Sequence, residues 1–277
     1  MTRKLLHGMR VMNLAVNLPG PAAAARLHQM GASVVKVEPP AGDPMEQYSA
    51  EWYRDMAAGQ MVLRLDLKTP TDRARLDAFL SETDLLITAT RPAAMARLGL
   101  GWKTLHGKYP RLCQVAVVGY PAPRENEAGH DLTYQASLRL LTPPHMPRTL
   151  LADMAGAERA LQSALALLLA RERGQGAGYA EVALSEAAAA MAEPLRYGCT
   201  RTGAILGGGI PEYSLYQARE GWVAVAALEP HFKKCLEEAL AISTVEQYRA
   251  IFLTKSAVEW QQWGQQLDVP VVALKGD

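Results

Sequence analysis

The stretch MRVMNLAVNLPGPAAAARLHQMGASVVKVEPP (9–40) constrains this chain more than any other. It reads as an apolar strand over 9–16, an alanine-rich helix over 20–31, and a second apolar strand over 33–40. Gly31 supplies the C-cap that ends the helix, and Pro39 and Pro40 stop the second strand. A β-α-β beginning of this kind predicts a parallel sheet with a right-handed crossover.

The pattern continues. MVLRLDL (61–67) alternates apolar and polar residues as a half-buried strand does. Residues 69–83 have helical spacing, with Pro70 near the first turn. DLLITA (84–89) and RLCQVAVVGY (111–120) are further strands, with a short helix closed by Gly99 between them. From about residue 200 the character changes. RTGAILGGGIPEYS (201–214) is glycine-rich, and residues 213–228 read as a hairpin around Glu220 and Gly221. Two helical segments follow, and the apolar VPVVAL has no obvious closing element. The expected fold is therefore α/β, with a Rossmann-like parallel sheet in a large domain over 1–200. A linker over 201–212 and a smaller α+β domain over 213–277 complete it.

The net charge of +1, without basic runs interleaved with aromatics, argues against nucleic acid. Cys113, Cys199 and Cys235 are scattered and odd in number, which fits reduced thiols in a cytoplasmic protein. With no CxxC and no histidine cluster, no metal site is expected. ALALLLA (164–170) is too short to span a bilayer, so no membrane partner is expected either. As a signal peptide the N-terminus is poor, because Asn13, Asn17 and Pro19 break its apolar part. The turn after the first strand, NLPGPAAA, carries neither GxGxxG nor GxxxxGK[ST].

Four residues stand out. Asp153 opens the long run LLADMAGAERALQSALALLLARER, as an N-cap aspartate would. His130 sits in EAGHDLTYQA beside Asp131, which is placed to cap the helix that follows it. Glu229 lies between a strand and a proline-started helix, and Arg91 lies at a helix start. Singly, each reads as a capping or surface residue. Together they fall at strand ends and helix starts, where ligands bind in open α/β sheets.

In order along the chain, several pieces resemble the class III CoA-transferase superfamily, and within it the α-methylacyl-CoA racemases. They include GMRVMNLAVNLPGPAAAARLHQMGASVVKVE, LDLKTPTDRARLDAFLSETDLLI, GHDLTYQA, LLADMAGAERALQSALALLLARERGQGAGYAEVALSEAA and PEYSLYQAREGWVAVAALEPHF. The resemblance implies that Asp153 is the aspartate that forms an acyl anhydride in transferases and serves as an acid/base in racemases. It implies that His130 and Glu229 are its racemase partners, and that Arg91 and Val16 contribute to CoA binding. It further implies a homodimer, with interlocked chains, acting on acyl-CoA with no cofactor beyond the CoA of the substrate. Three readings follow: a racemase, a transferase using Asp153 covalently, and a non-catalytic relative that binds another ligand or partner.

The proposed chemistry fits these residue types. Epimerising a 2-methylacyl thioester needs two bases, one protonated while the other is not. A histidine and a carboxylate can hold that complementary state near neutral pH. Glu229 would orient His130, and a backbone N–H at the helix start beyond Asp153 would meet the enolate oxygen. This chain also departs from the family pattern. KVEPPAGDP and DMAAGQM stand where the family carries basic residues, each charge-assisted bond being worth about 1.5–3 kcal/mol. Lys36, Lys68 and Arg64 are the candidates to replace them. AGAE places Glu158 where small residues are usual, and a carboxylate near the thioester pocket would repel an acyl chain. The chain stops soon after LDVP, before the segment that closes the interlocked ring in the family.

Overall fold

The computed structural model describes residues 4–275. Its contacts divide the chain into two units, Met1–Ala192 and Glu193–Asp277.

In the first unit, β1 (Arg10–Asn13) leads through α1 (Pro19–Gln29) to β2 (Ser33–Glu38). Two short helices missed in the sequence follow, α2 (Met45–Tyr48) and α3 (Ala50–Ala57). Then come β3 (Met61–Arg64), α4 (Pro70–Leu80), β4 (Leu85–Thr88), α5 (Pro92–Arg97), α6 (Trp102–Lys108) and β5 (Cys113–Val118). A long connection carries α7 (Asp131–Ser137) and α8 (Leu151–Ala170) to β6 (Tyr179–Ala183), and α9 (Leu184–Met191) ends the unit.

All six strands are parallel, in the order β3-β2-β1-β4-β5-β6. The chain winds outward from β1 to β3, then restarts on the other side of β1 at β4. Between β1 and β4 the connections therefore diverge, and a crevice forms at the carboxyl ends of those strands. Every residue of β4 and β5 is buried, as in parallel strands covered on both faces. On one face lie Ala23, Ala24 and Leu27 of α1 and Ala160, Ala164 and Leu168 of α8. On the other lie Leu76 and Leu80 of α4, Met95 of α5 and Leu105 of α6. The small residues of α8 permit close packing: a Cβ on Gly156 would stand 2.2 Å from Cδ2 of Leu184.

A buried charge cluster ties the loops beside the crevice. Lys36 of β2 is 2% exposed, and its ammonium group meets the carboxylates of Asp43 and, at 3.4 Å, Glu38. Asp43 Oδ1 accepts the backbone N–H groups of Asn17 (2.8 Å) and Met45 (2.9 Å). Glu38 accepts the hydroxyl of Tyr53 at 2.7 Å, and the Arg64 guanidinium lies between Glu38 and Glu46. Lys36 is thus committed inside the fold, and Arg64 faces carboxylates. Neither is a spare cation for phosphate.

The second unit holds α10 (Glu193–Arg196), β7 (Tyr213–Gln217), β8 (Trp222–Ala226), α11 (Pro230–Leu240), α12 (Val245–Phe252), α13 (Ala257–Gln266) and β9 (Val271–Ala273). Its sheet is antiparallel in the order β7-β8-β9. The terminal apolar run does find a partner, since Val271 pairs with Val225 of β8. Tyr216, Tyr248, Phe252 and Trp260 form an aromatic core, in which Trp260 Nε1 donates to the carbonyl of Phe252 at 2.8 Å. The boundary between units precedes the one expected at 200, and residues 201–212 belong to the second unit. They fold back on their neighbours: Leu206 N–H donates to Cys199 O (3.0 Å) and Gly209 N–H to Ala204 O (2.9 Å). Among the described residues no helix is long and apolar enough to cross a membrane.

Replacing Lys36 by methionine leaves the buried carboxylate of Asp43 without its cation and Glu38 with Arg64 alone. The expected loss is about 3–5 kcal/mol of folding stability, measured by urea denaturation. A loss below about 1 kcal/mol would show that the cluster does not hold these loops.

Candidate active site

A cavity of about 780 Å³ lies in the first unit, a volume typical of small-molecule sites. Its walls come wholly from that unit. Val16 and Asn17 reach it from the end of β1, Arg91 from the end of β4, and Gly119 from the end of β5. Tyr48 and Trp52 come from the two helices missed in the sequence. His130, Asp131, Tyr134 and Asp153 come from the connection between β5 and β6. Of the five sequence candidates, Val16, Arg91, His130 and Asp153 therefore border one space. Glu229 lies in the second unit, exposed, in the N-cap position of α11 without a side-chain cap bond.

Asp131 organises the polar wall. It is 4% exposed and does not serve as N-cap of its own helix, a place taken by His130. Asp131 Oδ1 instead accepts the N–H groups of Ala152 (2.7 Å) and Asp153 (3.1 Å), at the start of α8. Its other oxygen accepts from Gln135 Nε2 at 2.6 Å. A carboxylate at a helix start satisfies orphan amides and meets the positive end of the helix dipole. Asp153 is accordingly not the N-cap of α8 but its third residue, the cap position being Leu150. The His130 turn is held by backbone and hydroxyl: His130 N–H donates to Thr133 Oγ1 (3.1 Å), and Thr133 N–H donates to His130 O (2.8 Å).

The Asp153 carboxyl is pushed up to about 6, chiefly by burial, then by the charge of Asp131; His130 opposes the shift. The enolate donor expected at the helix start is not free. Ala152 and Asp153 give their N–H groups to Asp131, and Met154 gives its own to Leu150 O at 2.9 Å. Glu158 does not border the cavity; it pairs with Arg26 of α1 at 2.8 Å. Among the described lining residues Arg91 is the one arginine or lysine. Among the described residues no three His, Cys, Asp or Glu side chains form a metal-binding group.

The sequence reading did not single out Tyr134 or Trp52. For Tyr134 a signal exists in GHDLTYQA, an aromatic hydroxyl four residues after His130 and so on the same side of a helix turn. Trp52 carries no such signal, because its helix went unrecognised.

The raised carboxyl of Asp153 links to stability. Its folded value of about 6 lies above the ordinary 3.8, so the folded protein holds the extra proton between them. That contribution is fully present below about 3.8 and is lost as pH rises through about 6. Asp153→Asn should therefore be more stable than the parent above pH 6, by about 1–3 kcal/mol for a half-buried group, and equal to it near pH 4. Thermal melts across that range test this, and an advantage that does not change with pH would contradict it.

The sequence model of CoA-transferase family III matches residues 6–273. Succinyl-CoA–D-citramalate CoA-transferase of Chloroflexus aurantiacus is 29% identical over 80% of this chain and 61% of its own length. Human alpha-methylacyl-CoA racemase is 28% identical over 93% of this chain and 74% of its own. This chain thus spans under two-thirds of the former relative and about three-quarters of the latter. The crystal structure of hypothetical protein Rv3272 from Mycobacterium tuberculosis has the same fold, with a TM-score of 0.86 over 98% of this chain and 84% of that one, at 24% identity. With the sequence match running through both units, the chain belongs to CoA-transferase family III.

Proposed function

We propose that the protein acts on an acyl-CoA thioester and epimerises C2 of a 2-methylacyl group by moving its α-proton between His130 and Asp153. The observation that carries this reading is a carboxyl raised to about 6 on the same cavity as a histidine. A histidine and a carboxyl can exchange these roles, one holding the proton while the other accepts it. One base takes the α-proton, the electron pair moves into the thioester carbonyl as an enolate, and the other base returns a proton to the opposite face. Leu132 and Leu150, 39% and 42% exposed at the cavity, offer apolar surface to an acyl chain. Arg91 and Val16 fit contacts with the CoA portion. The names of the relatives above, one a racemase and one a transferase, support a thioester substrate. In this reading the protein works as a homodimer. Light scattering tests the dimer, and a monomer at micromolar concentration would remove it.

Asp153 also supports a second reading. As a half-buried carboxylate reachable from the cavity, it can attack the thioester carbonyl, form a mixed anhydride and release CoA thiolate.

The test is incubation with a 2-methylacyl-CoA in heavy water, following deuterium at C2 by mass spectrometry. Exchange and epimerisation are expected, and His130→Ala and Asp153→Ala should each slow epimerisation by about 10²–10⁴-fold. Epimerisation by the His130 variant at the parent's rate would refute the racemase reading. No exchange, together with a hydroxamate formed at Asp153 on adding hydroxylamine, would establish the covalent transferase instead.

A further inference from the structure

We propose that the hydroxyl of Tyr134 is the donor that holds the thioester oxygen of the bound acyl-CoA and stabilises it as it takes up negative charge. The inference rests on the acyl-CoA reading above and adds to it a catalytic residue.

Tyr134 lies in α7, is 1% exposed and borders the cavity. Its ring packs edge-on against Tyr120, with centroids 5.3 Å apart. Its hydroxyl is buried and has no hydrogen-bond partner among the described residues. Packing alone does not account for that group, since a phenylalanine would fill the same space without burying an unpaired donor. The hydroxyl lies close against two glycines. A Cβ on Gly119 would stand 2.5 Å from the hydroxyl oxygen, and one on Gly129 would stand 2.6 Å from it. Any larger residue at either position would displace the phenol.

The neighbouring donors are engaged. The amides of Ala152 and Asp153 are bound to Asp131, whereas the hydroxyl of Tyr134, a residue of the same cavity lining, is buried without an acceptor among the described residues. Burial, then Tyr120, Asp153 and Asp131, push its pKa up to about 12, so it keeps its proton at neutral pH. A fixed neutral donor in a partly dry site strengthens its bond as the acceptor oxygen becomes an enolate, which lowers the barrier to proton removal. No bond to Tyr134 forms or breaks in this role. The α-proton still passes between His130 and Asp153.

The experiment compares two probes by calorimetry: a 2-methylacyl-CoA thioester, and the matching S-alkyl thioether of CoA, which lacks the carbonyl oxygen. The parent protein should bind the thioester about 5–10-fold more tightly. Tyr134→Phe should bind both probes equally, keep the parent's thioether affinity, and melt no lower than the parent. It should also slow α-proton exchange by about 10²-fold. A variant that keeps the preference, or exchanges within about 3-fold of the parent, overturns the proposal, as does a parent with no preference. Loss of the preference in the variant, with no exchange by the parent, would leave the donor standing and refute the proton-transfer reading. Failure of the parent to bind either probe would refute both. If the phenylalanine variant does not fold, 3-fluorotyrosine in place of Tyr134, a stronger donor of nearly the same shape, should raise the preference about 2-fold. An unchanged preference would then overturn the proposal.

Discussion

The candidate site depends on where the carboxylate of Asp131 is held. Its two oxygens accept from the start of α8 and from Gln135, so one buried charge fastens α7 to α8. Because Asp131 directly follows His130 and binds the amide of Asp153, the same contact places both residues on one cavity. Its negative charge also contributes to the raised carboxyl of Asp153. A buried carboxylate can persist here because amides at a helix start and a side-chain amide replace the water it lost. Asp131 thus helps to position Asp153 and adds to the burial that raises its carboxyl.

The opposite side of the crevice rests on a second buried charge. Lys36 and Asp43 bind the loop after β1, through Asn17, to the segment that opens α2. The parallel sheet supplies a crevice between β1 and β4 by topology alone. Its walls take their shape from these two groups of buried ions, which fix loops that apolar packing would leave free to slide.

Much of this frame was legible. The strands of the sheet are apolar because both faces are covered, and α1, α4 and α5 between them carry proline in the first turn. Such signals are local. The helix of residues 245–252 also had one, the Thr244–Gln247 capping box, which was overlooked. The role of Asp131 was not legible. A local rule assigns a capping aspartate to the helix it precedes, whereas this one caps a helix 21 residues away. Glu158 was misplaced for the same reason, since Arg26, its partner, comes from a helix far back in the chain. His130 and Asp153 looked ordinary one at a time; their meaning came from occurring together in a familiar order. Tyr134 escaped notice because an unpaired hydroxyl is a property of surroundings, and the two glycines close against it are invisible as such in sequence.

The topology also groups the candidate residues along the chain. His130, Asp131, Tyr134 and Asp153 all lie in the single connection between β5 and β6, on an uninterrupted run of chain. Leu132 and Leu150 lie in the same connection, and the rest of the lining comes from the ends of β1, β4 and β5, from α2 and α3, and from Leu184. The proposed acid and base are therefore encoded in one contiguous block with part of the apolar lining, while the remaining walls are scattered along the chain. Recombination that exchanged this block between related chains would move the proposed acid and base together with part of the apolar wall, and leave the walls built by the other strand ends in place.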